Sequence, residues 1–187
     1  IYGFHILNKF NFKNPLTIFS QPGSKKALAK IISHPYTVPF EKLKINVNLQ
    51  ELEEGNHDKP EAPFPIECRY LVHADPCFGY RLELDGKVIT YCTDTGVCAN
   101  LIKLAKDADI LLLECSHKNT NLANKNWPHL NPQMAAMVAK KAKAKKLFLV
   151  HFAANRYLSL KERKEAEKIA KKIFPETVVA LDDMKVE

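Results

Sequence analysis

Hydrophobic residues recur along this chain with two periods, one typical of strands and one typical of helices. Strand-like runs are predicted at Pro15–Phe19, Leu43–Leu49, Cys68–Val72, Phe78–Leu84, Lys87–Tyr91, Asp109–Glu114, Lys146–Val150 and Thr177–Leu181. Apolar and polar residues alternate most regularly in the run that ends at Leu84, and Asp85-Gly86 follows it directly. Because this dipeptide suits a two-residue hairpin turn, we expect the flanking strands to pair antiparallel.

Helices are predicted between these strands, at Gly23–Ser33, at Val97–Ala105, from Asn131 to about Lys143 and from Ser159 to about Ile173. Asn131 and Pro132 supply an N-cap and a proline at the first helical position. Ser159 and Glu162 have the spacing of a capping box. The segment Glu51–Pro65, which contains glycine and several prolines, is predicted to be an irregular loop. The pattern indicates a single mixed α/β domain over residues 1–187, with enough strands for two sheets.

Composition excludes several classes of protein. Hydrophobic residues make up 46% of the chain and charged residues 26%, which is typical of a folded globular protein rather than a disordered or collagen-like one. No apolar run approaches the roughly 18 residues of a membrane span, so no membrane partner is expected. The 5 cysteines are odd in number and show no CxxC spacing, which favours a reducing, cytoplasmic location over a disulfide scaffold.

Candidate metal ligands stand where several strand-like runs end. His73, Asp94 and His151 each lie at or just beyond the carboxyl end of such a run, and Glu114 ends a fourth. In α/β folds, binding and catalytic groups collect outside these strand ends, where loops are supported by a rigid sheet. Histidine nitrogens and carboxylate oxygens are ligands that zinc prefers. The pattern therefore indicates a metal site, with zinc as the first choice.

Each of these residues also has a purely structural interpretation. A single histidine at a strand end is commonly a hydrogen-bonded or exposed residue, and Asp94 could be a turn residue or a helix N-cap. Cys92 and Cys115 are expected to fill the core. We expect His117 to be an exposed loop histidine rather than a second proton donor beside Glu114. Spacing alone leaves these alternatives open.

Longer motifs resemble the metallo-β-lactamase-fold hydrolases, and within them the ribonuclease Z-like branch. The segments that carry the resemblance are Asn14–Gly23, His73–Arg81, Asp85–Gly96, Ala108–Ser116, His129–Pro132, Leu147–Phe152 and Val178–Val186. Their order and spacing follow the family along essentially the whole chain. The resemblance implies an αββα sandwich, with metal ions at one edge between its sheets.

The resemblance also implies roles for individual residues. His73 matches the histidine that completes the first metal site, Asp94 the carboxylate that bridges two metals, and His151 the last ligand of the second metal. Glu114 and His129 match an acid and a histidine that assist proton transfer to the leaving oxygen. Two Zn²⁺ ions are the implied cofactors, with Mn²⁺ or Fe²⁺ as alternatives.

One element of the family pattern does not occur in this sequence, namely the HxHxDH signature that supplies four further ligands. In the family, a glycine-containing segment like Ile1–Phe4 follows this signature closely. The expectation is therefore that the domain is incomplete at its N-terminus and that this chain alone is inactive.

The expected substrate is a phosphodiester, with RNA as one option, and the chain could assemble as a homodimer. Arg156 is a candidate for binding a substrate phosphate, because guanidinium groups pair well with phosphate oxygens. Trp127 could line the substrate mouth or support the start of a helix. Two alternatives stay open: a hydrolase of another ester or a lactam, and a catalytically inactive nucleic-acid-binding member. Lysine clusters at 140–146 and 161–172 could track phosphates, although a solvated helix face is the simpler interpretation.

Overall fold

The computed structural model describes residues 14–118 and 127–186. The segment Ile1–Phe4, on which the expectation of a truncated start rests, lies outside these residues. The chain divides into two compact units, residues 1–53 and 54–187, and each is described by itself. The prediction of a single domain remains a prediction.

The first unit contains a strand, a helix and a second strand within its described part. Strand β1 spans Leu16–Ser20, helix α1 spans Ser24–Ile31, and strand β2 spans Val47–Glu51. The two strands pair in parallel, with Leu16 opposite Val47. Gly23 precedes the helix with a φ of 88°, a conformation that glycine adopts without a steric penalty.

The second unit is built on a seven-stranded mixed sheet in which the strands lie in the order β3-β4-β5-β6-β7-β8-β9. The strands are β3 Gly55–His57, β4 Ile66–Tyr70, β5 Phe78–Leu84, β6 Lys87–Cys92, β7 Ile110–Glu114, β8 Leu147–Val150 and β9 Thr177–Val179. The helices are α2 Ala99–Ala105, α3 Pro132–Ala142 and α4 Leu160–Lys171. Adjacent strands pair antiparallel from β3 to β6 and parallel from β6 to β9, so β6 has one neighbour of each kind.

Local sequence signals set several of these boundaries. Leu84 lies opposite Lys87, so Asp85-Gly86 forms the predicted two-residue turn, and both turn residues have positive φ. The side chain of Asn131 accepts a hydrogen bond from the backbone N–H of Met134 at the start of α3. Ser159 and Glu162 form the predicted capping box at the start of α4.

The core of this unit lies between the sheet and its three helices. Leu111 and Leu113 of β7 and Leu147 and Leu149 of β8 are completely buried, and they belong to one cluster with buried alanines of α3. Small residues on this helix allow its backbone to approach the leucine-rich face of the sheet closely. Cys92 and Cys115 are completely buried, as expected of core residues.

Three predicted boundaries were wrong. The predicted loop 51–65 contains β3, whose residues have no apolar alternation and form a strand because β4 supplies an antiparallel partner. The strand predicted at Leu43–Leu49 begins only at Val47, because Phe40–Lys42 forms a short 3-10 helix. The strand predicted at Cys68–Val72 spans Ile66–Tyr70. For β3, pairing with a neighbouring strand outweighs the absence of a local apolar pattern.

Within the described residues, none of the helices combines the length and the apolar character that crossing a membrane requires.

The edge strand β9 is held by a buried carboxylate of α4. Glu167 accepts a hydrogen bond of 2.8 Å from the backbone N–H of Val179, and it also pairs with Lys164 and Lys171. Burial alone would raise the pKa of Glu167, but hydrogen bonds from Lys164, Val179 and Lys171 lower it to about 2. The charged carboxylate thus joins the last helix to the last strand.

We predict that Glu167→Gln destabilises the fold by about 1–3 kcal/mol at pH 7, because charge-assisted hydrogen bonds to a buried group are lost. A lowered pKa means that this stabilisation is fully present above about pH 4.5 and disappears as the pH falls towards 2. The difference between wild type and variant should therefore shrink on acidification, which urea denaturation at several pH values would measure. Glu165→Gln is the matched control, because Glu165 is exposed and pairs only with Lys168 among the contacts of the described residues. An equal effect of both substitutions would contradict the assignment.

Candidate metal centre

The direction of the strands brings the candidate ligands to one edge of the sheet. Strands β6, β7 and β8 are parallel neighbours, so the loops after them leave from the same edge. Strand β4 is antiparallel to β5, which is antiparallel to β6, so β4 runs in the same direction as β6. The segments that carry His73, Asp94, Glu114 and His151 therefore all begin at this edge.

Asp94 lies between two of the predicted histidine ligands. Its Oδ1 atom is 2.9 Å from Nε2 of His151 and 4.0 Å from Nε2 of His73. One ligand atom each of His73, Asp94 and His129 lie within 4.8 Å of one another. Such a group of two imidazoles and a carboxylate has the chemistry of a zinc site.

The Nε2 atom of His73 provides a test of whether a metal fits this site. This atom is buried and has no hydrogen-bond partner among the described residues, although buried polar atoms in proteins are normally paired. It faces the carboxylate of Asp94 from 4.0 Å, a distance that leaves the pair without a direct hydrogen bond. An unpaired imidazole nitrogen beside a carboxylate fits a cation as the common partner of both groups.

The opposite nitrogen of His73 adds one condition to this fit. Its Nδ1 atom accepts a long hydrogen bond of 3.3 Å from the backbone N–H of Asp75. A metal on Nε2 would place the proton of the neutral ring on Nδ1, so this weak bond would be given up on binding.

Two of the three predicted ligands have backbone conformations that L-residues rarely adopt. Asp94 has a φ of 51° and His151 a φ of 52°. A positive φ is uncommon outside glycine and occurs most often for short polar residues such as aspartate. Such conformations cluster at functional sites, where surrounding contacts hold them in place. This feature could not be read from the sequence, because neither position carries a glycine.

Glu114 is completely buried at the end of β7 and organises the loops around the candidate ligands. Its carboxylate accepts hydrogen bonds from the backbone N–H of Thr95 and, at 3.0 Å, from that of Leu130. The Nδ1 atom of His129 lies 3.0 Å from both of its oxygens. Glu114 therefore connects the loop after Asp94 to the loop that carries His129.

His129 occupies the centre of a cluster of aromatic rings. The centroid of its ring lies 5.4 Å from that of His73, 5.4 Å from that of His117 and 6.1 Å from that of His151. Because Glu114 contacts Nδ1, the other ring nitrogen is available to the cleft. The family resemblance implies that His129 assists proton transfer to the leaving oxygen, and the structure also brings it into the group of potential ligands. Both roles remain predictions.

The expectation that His117 is an exposed loop histidine was wrong. Its side chain is buried, with 5% of the residue exposed, and its Nδ1 atom accepts a hydrogen bond from the guanidinium of Arg156. Burial, followed by the charges of Arg156 and His129, lowers the pKa of His117 to about 4. His117 is therefore neutral at pH 7, with its proton on Nε2. The sequence placed this residue beyond a strand end, but its burial depends on the segment that carries Arg156.

Arg156 lies at the predicted site, in the wall of an open cleft of about 450 Å³. The same cleft is lined by Asp94, His129, His151 and Trp127. Tyr157, which sequence reasoning did not single out, is buried and donates a hydrogen bond of 2.8 Å to the carbonyl oxygen of His117. Nothing in the local sequence signals this contact, because it joins two distant loops.

Many lysines of the second basic cluster are paired with acids. Lys164 and Lys171 contact Glu167, and Lys168 contacts Glu165. In the first cluster, Lys145 contacts Asp109. Such pairing favours a solvated helix face over a continuous phosphate-binding surface.

Comparison with known proteins connects this geometry to a family. Residues 15–152 match the sequence profile of the β-lactamase superfamily domain. A Ribonuclease Z of Acaryochloris marina is 43% identical over 101 residues, which are 52% of this chain and 32% of that protein. A Ribonuclease Z of Picosynechococcus sp. is 38% identical, and the alignment covers 90% of this chain and 68% of that protein.

A solved structure agrees with this relationship. The metallo-β-lactamase fold protein YhfI of Bacillus subtilis superposes with a TM-score of 0.71 at 20% identity, over 90% of this chain and 63% of that one. The chain thus spans between 32% and 68% of the lengths of these three proteins. It has the mixed α/β architecture of the metallo-β-lactamase fold, and it belongs to the β-lactamase superfamily as a ribonuclease Z-like member.

Proposed function

We propose that this chain carries part of the active site of a metal-dependent hydrolase that cleaves phosphodiester bonds, in RNA or in a smaller phosphodiester. The observation that carries the proposal is the position of Asp94, whose Oδ1 atom lies 2.9 Å from Nε2 of His151 and 4.0 Å from Nε2 of His73. The relatives named Ribonuclease Z support RNA as a substrate.

The proposed ligands are His73, Asp94 and His151, with Asp94 shared between two Zn²⁺ ions. The position of Asp94 supports this arrangement, because a single oxygen of its carboxylate faces both histidines. A bound zinc ion supplies Lewis-acid polarisation of phosphoryl oxygens and activates water near neutral pH. Mn²⁺ and Fe²⁺ are alternatives, since imidazole and carboxylate ligands also suit them.

His129 is proposed to protonate the leaving oxygen, and Glu114 is proposed to assist by holding the ring of His129. The carboxylate fixes the ring of His129 through Nδ1, so Nε2 is the atom that can donate a proton within the cleft. Donation from Nε2 requires a ring that carries a proton on both nitrogens. Glu114 itself is too deeply buried to contact a substrate and is proposed as a positioning residue.

Arg156 is proposed to bind a phosphate oxygen of the substrate. Arg156 lies in the wall of the cleft, and its guanidinium donates a hydrogen bond to His117. This bond uses only part of the hydrogen-bonding capacity of the guanidinium. The remaining N–H groups are suited to phosphate oxygens.

The five free cysteines support a cytoplasmic location for the protein.

We predict that the chain binds Zn²⁺ and that His73→Ala and Asp94→Asn each weaken binding by about 10- to 100-fold or more, because each removes a proposed ligand. Calorimetric titration would measure the affinities. His57→Ala is the control, since His57 lies in β3 and outside the candidate ligands. Equal zinc binding by wild type and both ligand variants would refute the proposed centre.

A second prediction tests the reaction class. The full-length gene product should hydrolyse bis(p-nitrophenyl) phosphate. Chelation or Asp94→Ala should abolish this activity, because the first removes the metal and the second removes a residue that would hold it. Parallel assays with a chromogenic cephalosporin test the lactam alternative. Turnover of the phosphodiester that survives both chelation and Asp94→Ala would exclude the metal mechanism.

A third prediction separates proton donation from metal binding. In the same protein, His129→Ala should reduce kcat by about 10²- to 10⁴-fold for an ester with an alkoxide leaving group, which requires protonation. The loss should be much smaller for a p-nitrophenolate leaving group, which departs without a proton. Glu114→Gln should show the same selectivity to a smaller extent. Zinc content is measured in parallel, and equal losses on both esters would indicate that His129 acts as a ligand instead.

A further inference from the structure

Trp127 is a large aromatic residue that the proposed reaction does not use. Its side chain remains exposed, with 54% of the residue accessible, although tryptophan is highly buried on average. Trp127 also lines the cleft that contains Asp94, His129 and His151. An exposed indole in the wall of a reaction cleft is available for contact with a substrate.

The position of the indole is fixed by the candidate metal site itself. Its ring centroid lies 5.8 Å from that of His73, in an edge-on arrangement, and 5.9 Å from that of His129. Both histidines belong to the group of potential ligands. The indole therefore lies directly beside two rings of the candidate metal site.

The backbone beside Trp127 is equally constrained. A Cβ atom placed on Gly96 would come within 2.8 Å of Cβ of Pro128, so the loop after Asp94 packs directly against the residue that follows the indole. Two residues further, the N–H of Leu130 donates to buried Glu114. These contacts connect Pro128 and Leu130, which follow Trp127, to the loop after Asp94 and to Glu114.

A guanidinium lies in the lining of the same cleft. His117 is 5.4 Å from His129 between ring centroids, and Arg156 donates to His117. The wall of this cleft thus offers both a guanidinium for a phosphate and an aromatic surface.

We propose that Trp127 stacks against a nucleobase adjacent to the scissile phosphate, so that the site selects nucleotide esters over other phosphodiesters. This inference rests on the proposed phosphodiesterase function and specifies its substrate class. Stacking on an aromatic face tolerates any base, because every base has a π surface. Little preference among bases is therefore expected.

The test compares two esters with the same leaving group, thymidine 5′-p-nitrophenyl phosphate and methyl p-nitrophenyl phosphate. Trp127→Ala in the full-length gene product should lower the ratio of kcat/KM between the nucleoside ester and the methyl ester by roughly 5- to 150-fold. Trp127→Phe should retain most of this ratio, because phenylalanine keeps an aromatic face. The ratio cancels any effect on steps that both esters share.

A binding measurement on the 187-residue chain gives an independent readout through tryptophan fluorescence, since Trp127 is the only tryptophan among these residues. Adenosine 5′-monophosphate should quench its fluorescence in a saturable manner, whereas ribose 5-phosphate should not. Equal quenching by both ligands, or an unchanged ester ratio in Trp127→Ala, would overturn the proposal. Absence of metal-dependent hydrolysis of both esters would instead refute the proposed function on which the inference rests.

Discussion

Glu114 provides the interaction on which the geometry of the candidate site depends. A carboxylate with no exposed surface must be satisfied by donors within the protein, and here these donors are two backbone N–H groups and one imidazole. The donors come from the loops that follow Asp94 and precede helix α3. Loss of this acceptor would leave buried N–H groups unpaired in both loops at once. A single buried group thus couples the sheet to both loops that bear the candidate residues.

The unfavourable backbone conformations of the site occur at residues that follow strands of the sheet. Asp94 and His151 adopt positive φ values directly after strands β6 and β8, which lie on either side of β7 and its Glu114. Rigid neighbouring strands can hold such conformations, whereas an isolated loop would relax from them. The same arrangement leaves Nε2 of His73 buried without a hydrogen-bond partner in the part of the chain that the structure describes. Strained backbone and an unpaired nitrogen at one edge indicate that the fold is organised for a ligand rather than for maximal stability.

Much of the fold could be predicted from local signals. The Asp85-Gly86 turn, the Asn131 cap and the capping box of Ser159 act over a few residues, and all three are present. Strand β3 could not be predicted, because Gly55–His57 has no strand pattern of its own and depends on pairing with β4. The burial of His117 was missed for a similar reason, since Tyr157 and Arg156 contact it from about 40 residues away in sequence. Signals that act over a few neighbouring residues can be predicted from the sequence, whereas contacts between segments distant in sequence cannot.

The sequence by itself determined the alternation of strands and helices, the residues that stand at strand ends and the relationship to the ribonuclease Z-like branch. These features depend on residue order, which periodicity and motif spacing preserve. Only the tertiary structure decided that Asp94 faces both His73 and His151, and that His129 lies at the centre of the ring cluster. Such distances depend on the order and direction of strands within the sheet, because a strand end has no neighbours until the sheet has formed.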